Sequence, residues 1–208
     1  MDKKFDIIIY GATGFTGSLG AVYMDKYSNE LNWAIAGRDL VKLKKLQDSI
    51  PSKPEIIVAD ASDEIALKKL TESTRVVASY AGPFNKYSNL LVKACVENGT
   101  HYVDITGEAI WVRDLIDNYH EECVNKKIKI IPACGYDSIP SDLGTYYTAK
   151  QINEPLKSIF AYHNMSGGVS GGTIESAFTM RDFKSKHKMG HPFLSVSYTH
   201  LTLPTTRC

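Results

Sequence analysis

Apolar residues in this chain fall in short dense runs separated by longer stretches of mixed character. The runs occupy 5–10, 33–36, 55–59, 75–80, 101–105 and 128–133, and they are rich in Ile, Val, Ala and aromatic residues. Mostly apolar runs of this length, with little polar alternation, read as strands buried on both faces. Between them the spacing turns helical. Leu40, Leu43, Leu46 and Ile50 keep to one helix face behind Asp39, a good N-cap, and Pro51 stops that helix. Other helices are expected over about 16–27, from a Ser62 cap with Asp63 and Glu64 in the first turn, over 88–99 with Gly99 as the stop, and over 108–126. Six strands joined by helical crossovers predict an α/β fold with a parallel sheet covered on both faces.

Ligand chemistry in such a sheet gathers at the carboxyl ends of the strands. The first such end carries Gly11-Ala12-Thr13-Gly14-Phe15-Thr16-Gly17, directly after a strand and opening a helix. Gly11 allows a tight turn, Gly14 lets backbone N–H groups approach a pyrophosphate, and Gly17 lets the helix pack close to the strand. The helix N-terminus adds its partial positive charge. With this turn the sheet reads as a Rossmann-type, doubly wound dinucleotide-binding fold. The candidate cofactor-binding residues are Gly11, Thr13, Gly14, Phe15, Thr16, Gly17, Arg38, Asp60, Ala81, Gly82 and Pro83. Arg38 ends strand two, where an acidic residue would accept from the ribose 2′-hydroxyl of NAD. An arginine there suits the 2′-phosphate of NADP, although the adjacent Asp39 leaves some NAD use open. Asp60 reads equally as an acceptor for the adenine amino group and as a helix N-cap. Ala81-Gly82-Pro83 reads as a close approach to the cofactor's second half or as a plain turn.

Composition narrows the classes. The 208 residues are 43% hydrophobic and 23% charged, with a net charge of +1 and no long run of one sign, so nothing points to a nucleic-acid binder. No apolar segment approaches the length of a membrane span. The start leads straight into a strand, with no room for a signal peptide. Cys95, Cys123, Cys134 and Cys208 form no CxxC pair and no repeated spacing. The expectation is reduced thiols in a cytoplasmic protein, with neither a disulfide frame nor a zinc site. No histidine–carboxylate pattern has metal-ligand spacing.

Catalytic candidates lie beyond strand six, in Gly135-Tyr136-Asp137-Ser138-Ile139-Pro140-Ser141-Asp142-Leu143-Gly144. Tyr136, Asp137 and Ser138 are the residues here that could move or relay a proton beside a nicotinamide. Ser141 and Asp142 also read as an N-cap pair for the next helix. Tyr146 and Lys150 have the spacing of a short-chain reductase pair, but 128–134 supplies no partner serine, and a surface role is expected. His163 and the glycines Gly167, Gly168, Gly171 and Gly172 follow a β-like run at 158–162. They read as a packed or solvated histidine and a flexible loop or linker.

Five ordered motifs resemble the saccharopine dehydrogenase-like oxidoreductases, a group that includes the mycobacterial trans-acting enoyl reductases. They are Tyr10 to Gly17, Ala36-Gly37-Arg38, Tyr80-Ala81-Gly82-Pro83-Phe84, Tyr102-Val103-Asp104-Ile105-Thr106-Gly107-Glu108, and Cys134 to Gly144. The resemblance covers about residues 5–178. It implies an NADP-binding Rossmann domain over 1–150 and the truncated start of an α+β substrate domain over 151–195. It implies neither saccharopine as substrate nor any secure catalytic residue. Family members are longer, so the chain reads as an N-terminal fragment. The segment 196–208 looks like a translated sequencing adaptor and is set apart as a non-native tail; a genuine short β tail is the alternative.

The expected function is reduction of a small or lipid-derived carbonyl or enoyl substrate with NADP. The alternatives are a non-catalytic NADP-binding regulator and a short-chain dehydrogenase or epimerase-like enzyme. A small-molecule or lipid-derived substrate is the expected partner, with no nucleic acid; peripheral membrane association and a homodimer stay open.

Overall fold

The computed structural model describes residues 3–28, 30–136, 138–164, 166–168 and 171–182. Six parallel strands form one sheet: β1 (Phe5–Tyr10), β2 (Trp33–Gly37), β3 (Glu55–Val58), β4 (Thr74–Ser79), β5 (His101–Asp104) and β6 (Ile130–Ile131). Their order is β3-β2-β1-β4-β5-β6. The chain starts mid-sheet, steps outward to β3, crosses back past β1, and steps outward on the other side. The strand order therefore reverses between β1 and β4, which opens a crevice at their carboxyl ends. Tyr10 pairs with both Ala36 and Ser79, so the ends of β1, β2 and β4 lie level.

The helices are α1 (Phe15–Tyr27), α2 (Leu40–Ser49), α3 (Glu64–Ser73), α4 (Phe84–Tyr87), α5 (Asn89–Glu97), α6 (Ala109–Lys126), α7 (Ile139–Gln151) and α8 (Gly171–Asp182). Neighbouring strand residues point to opposite faces. Ile9 and Ile35 join one core cluster with Ala21 of α1 and Leu43 of α2. Ile8, Val77 and Tyr102 join a larger one with Leu67 of α3, Leu91 and Cys95 of α5, and Trp111 and Leu115 of α6. Each fully buried Leu or Ile in these layers stabilises the fold by about 1.5–3 kcal/mol. Helix α7 buries no residue.

Local chemistry shifts several expected boundaries. Asp39 caps α2 as expected, accepting from the Lys42 N–H at 3.0 Å. Asp63, not Ser62, caps α3, accepting from the Ala66 N–H at 2.9 Å. Ser62 is engaged elsewhere, because both its N–H and its hydroxyl donate to Asp60. Strand β6 is two residues long, much shorter than 128–133. The Ile128 N–H bonds back to Cys123 to close α6, Pro132 has no N–H, and Ala133 takes a left-handed φ of 59°. Ser138 is the N-cap of α7, which puts Ser141 and Asp142 inside its first turn. No strand forms at 158–162, and Gly171-Gly172 begins a helix where a loop was expected. That helix, α8, has α4 to pack on. Lys86 meets Glu175 at 3.9 Å, and the Asn85 amide lies 3.9 Å from the Met180 sulfur. The 196–208 segment lies outside the described residues.

Candidate functional site

The glycine turn sits at the crevice. Gly11 has φ 76°, and a Cβ there would stand 2.8 Å from the Ala81 backbone nitrogen. The end of β1 and the chain leaving β4 are therefore in contact, and only glycine fits between them. A Cβ on Gly17 would lie 2.3 Å from the Gly11 carbonyl oxygen, so the first turn of α1 rests on the β1 turn. The Gly14 N–H itself donates to the Gly11 carbonyl at 3.1 Å, which leaves the N–H groups after it to face a ligand. The first bond within the helix runs from the Ser18 N–H to the Gly14 carbonyl, at 2.9 Å. The N–H groups of Phe15, Thr16 and Gly17 thus form the open end of α1. Among the described residues no side chain caps this end, and no acidic residue stands in its first turn. A glycine cradle with an uncapped helix start fits a pyrophosphate in both shape and charge.

Arg38 follows β2, one strand over from the turn, and is exposed. Thr13 lies above Gly37, where a Cβ would be 3.9 Å from its hydroxyl oxygen. The charge of Arg38 reaches Tyr10, Asp60 and Lys86. Bonds from the Ser62 hydroxyl and N–H, with Arg38 adding to them, hold the Asp60 carboxyl below its ordinary value. Asp60 closes a turn and is not the α3 cap. Ala81, Gly82 and Pro83 form a tight link from the Gly11 contact to α4. A Cβ on Gly82 would meet the Phe84 ring at 3.1 Å.

The stretch after β5 holds more structure than its sequence discloses. Asp104 is buried. Its Oδ1 accepts from the Thr106 and Ala133 N–H groups at 3.0 and 3.1 Å, and its Oδ2 accepts from the Tyr102 hydroxyl at 2.8 Å. Burial raises its pKa to about 6, outweighing those donors. Glu108 is 2% exposed. Its two carboxylate oxygens accept from the Phe84 N–H at 2.9 Å and the Asn85 N–H at 2.7 Å, and its own N–H donates to the Thr106 hydroxyl at 3.0 Å. A carboxylate after β5 thus caps the helix after β4. Acceptors at alternate positions in Asp104-Ile105-Thr106-Gly107-Glu108 signal successive side-chain turns. The partner at Phe84 and Asn85 leaves no such signal.

Tyr136 is exposed and Ser138 half-buried beyond β6; Asp137 lies outside the described residues. The structure adds a histidine set aside on sequence grounds. The His163 Nε2 lies 3.1 Å from the Ser141 hydroxyl, and the Tyr136 ring meets the imidazole edge-on at 6.1 Å between centroids. Lys150 places its ammonium over the Tyr146 ring, 4.7 Å from the centroid, and both are exposed. Among the described residues, no group of three or more His, Cys, Asp or Glu could hold a metal ion, and no helix is long and apolar enough to cross a membrane.

Comparisons with known proteins bear on the family and the fold. The family model "Saccharopine dehydrogenase NADP binding domain" matches residues 7–131. A trans-acting enoyl reductase of Mycobacterium tuberculosis is 39% identical over 148 residues, covering 70% of this chain and 35% of its own length. A lipid droplet localized protein of Caenorhabditis elegans is 33% identical over 178 residues, covering 81% of this chain and 42% of its own. The chain spans about half or less of the length of the curated relatives it matches. Apo saccharopine dehydrogenase (L-Glu forming) from Saccharomyces cerevisiae superposes with a TM-score of 0.59 at 22% identity, covering 71% of this chain and 31% of that one. At that identity the likeness concerns the fold.

Proposed function

The chain belongs to the saccharopine dehydrogenase NADP-binding domain family, and from that premise we propose that it is the cofactor-binding part of an NADP-dependent oxidoreductase that reduces a small or lipid-derived carbonyl or enoyl substrate. The observation that carries the reading is the contact between the Gly11 turn and Ala81 beside the uncapped start of α1. It leaves a crevice whose donors match a dinucleotide laid across the β1–β4 junction. When bound, the nicotinamide supplies the hydride.

The chain's own residues bind and orient. The Phe15, Thr16 and Gly17 N–H groups hold the pyrophosphate, with Thr13 beside them. Arg38 holds the 2′-phosphate through a planar, permanently charged donor set. Ala81, Gly82 and Pro83 form the wall toward the nicotinamide half. Tyr136, Ser138, Ser141 and His163, beyond β6, are the groups able to relay a proton to the reduced substrate, with Asp137 between them in sequence. The substrate class draws support from the relatives named as enoyl reductase and lipid droplet protein. It also draws support from a largely apolar groove of about 1160 Å³ that runs along the outer edge of β6 to Ser138. A cytoplasmic location is part of the same proposal.

The test is NADPH consumption by the full-length protein that carries this domain, with two substrate panels, trans-2-enoyl thioesters and aliphatic aldehydes and ketones. Oxidation that depends on either panel supports the reading. NADPH binding with no consumption on any member would favour a cofactor-binding regulator.

A further inference from the structure

Glu108 stands out among the buried groups because its charge serves a loop that is not its own. It follows β5, it is 2% exposed, and both its oxygens accept from backbone N–H groups at the start of α4. That helix is a single short turn, Phe84–Tyr87, entered through Pro83 with no side-chain cap of its own. What fixes it is therefore remote in sequence. The Glu108 end is held as well, since its N–H donates to Thr106, whose N–H donates to Asp104. Asp104 in turn accepts from Ala133, the residue after Pro132 at the end of β6. Buried charge-assisted bonds of this kind are strong and directional. They lace the exits of β4, β5 and β6 into one frame. The β4 exit in that frame is the Ala81-Gly82-Pro83 link, already pressed against Gly11. The Asn85 Oδ1, at the same place, is buried and has no hydrogen-bond partner among the described residues.

We propose that Glu108 is a positioning residue for the nicotinamide half of the cofactor: it sets the place of the β4 exit, while the adenosine half, held beside β2, does not depend on it. The inference rests on the NADP reading above. Strand order gives it direction. β2 and β4 lie on opposite sides of β1, so a defect at the β4 exit should be felt on one half of a dinucleotide and not on the other.

The experiment compares two ligands, NADPH and 2′-phospho-ADP-ribose, which lacks only the nicotinamide. Both are titrated calorimetrically into the wild-type chain and into Glu108→Gln, which keeps the size of the side chain but can accept only one of the two bonds. The expected result is roughly a tenfold loss for NADPH and less than about a twofold change for 2′-phospho-ADP-ribose. Equal losses for both would show a general structural role and overturn the proposal, as would no loss for either. If Glu108→Gln does not fold, Thr106→Val takes its place. It keeps the carboxylate and removes only the hydroxyl that anchors the Glu108 N–H, and the same asymmetry is expected at roughly threefold. Equal effects in that variant, or none, again overturn the proposal. A wild-type chain that binds neither ligand would instead refute the cofactor reading on which the inference stands.

Discussion

Asp104 shows how one buried carboxyl couples the site to pH. Its folded pKa of about 6 lies above its ordinary value of 3.8. The folded state therefore binds a proton more tightly than the unfolded state. The stabilisation that follows is fully present below about pH 4 and is lost as pH rises through about 6. The size is on the order of 3 kcal/mol, from about two pKa units. Asp104→Asn removes this titration and keeps the Oδ1 acceptor for Thr106 and Ala133. Urea unfolding of both proteins from pH 4 to pH 7 should show the mutant gaining on wild type by on the order of 3 kcal/mol across that range. A stability difference that stays flat with pH would contradict the buried, protonatable carboxyl. In sequence, Asp104 is one acid near a strand end. Its burial comes from Tyr102 and the β6 exit, and spacing along the chain does not disclose that.

At the scale of the element, the glycines of the first turn separate into two kinds. Gly17 has no room for a Cβ, which would lie 2.3 Å from the Gly11 oxygen and 3.0 Å from the Ala12 Cα. Gly14 has room, since its Cβ would meet only the Gly11 oxygen at 3.4 Å, and its φ of −72° suits any residue. Gly17→Ala should therefore cost about 1–3 kcal/mol in unfolding experiments, because α1 must move off β1. Gly14→Ala should stay within about 0.5 kcal/mol of wild type and still weaken NADPH, since a methyl would stand at the open helix start. Equal destabilisation by the two would refute the assignment of Gly17 to packing and Gly14 to ligand approach. The element pattern was readable in advance. Apolar runs marked every strand, and Asp39 and Gly99 marked a helix start and stop where expected. The misses arose where one side chain was claimed by a neighbour, as Ser62 was by Asp60. They also arose where a contact far along the chain decided the matter, as α8 found α4.

For the whole molecule, the order β3-β2-β1-β4-β5-β6 with every strand parallel places the glycine turn, Arg38 and the β4 exit on one edge of the sheet, the carboxyl edge. That edge was legible as a list of strand ends. Its inner frame, from Glu108 to α4 and from Asp104 to the β6 exit, was not, because side-chain-to-backbone bonds across 24 and 29 residues leave no periodicity to read. The central claim is that the edge holds NADP, with the 2′-phosphate on Arg38. Titration of NADPH and NADH into wild type and Arg38→Ala tests it most directly. Wild type should prefer NADPH, and the mutant should lose roughly ten- to a hundredfold in NADPH affinity while NADH stays within about twofold. Equal binding of the two cofactors by wild type, or equal losses in the mutant, would contradict it.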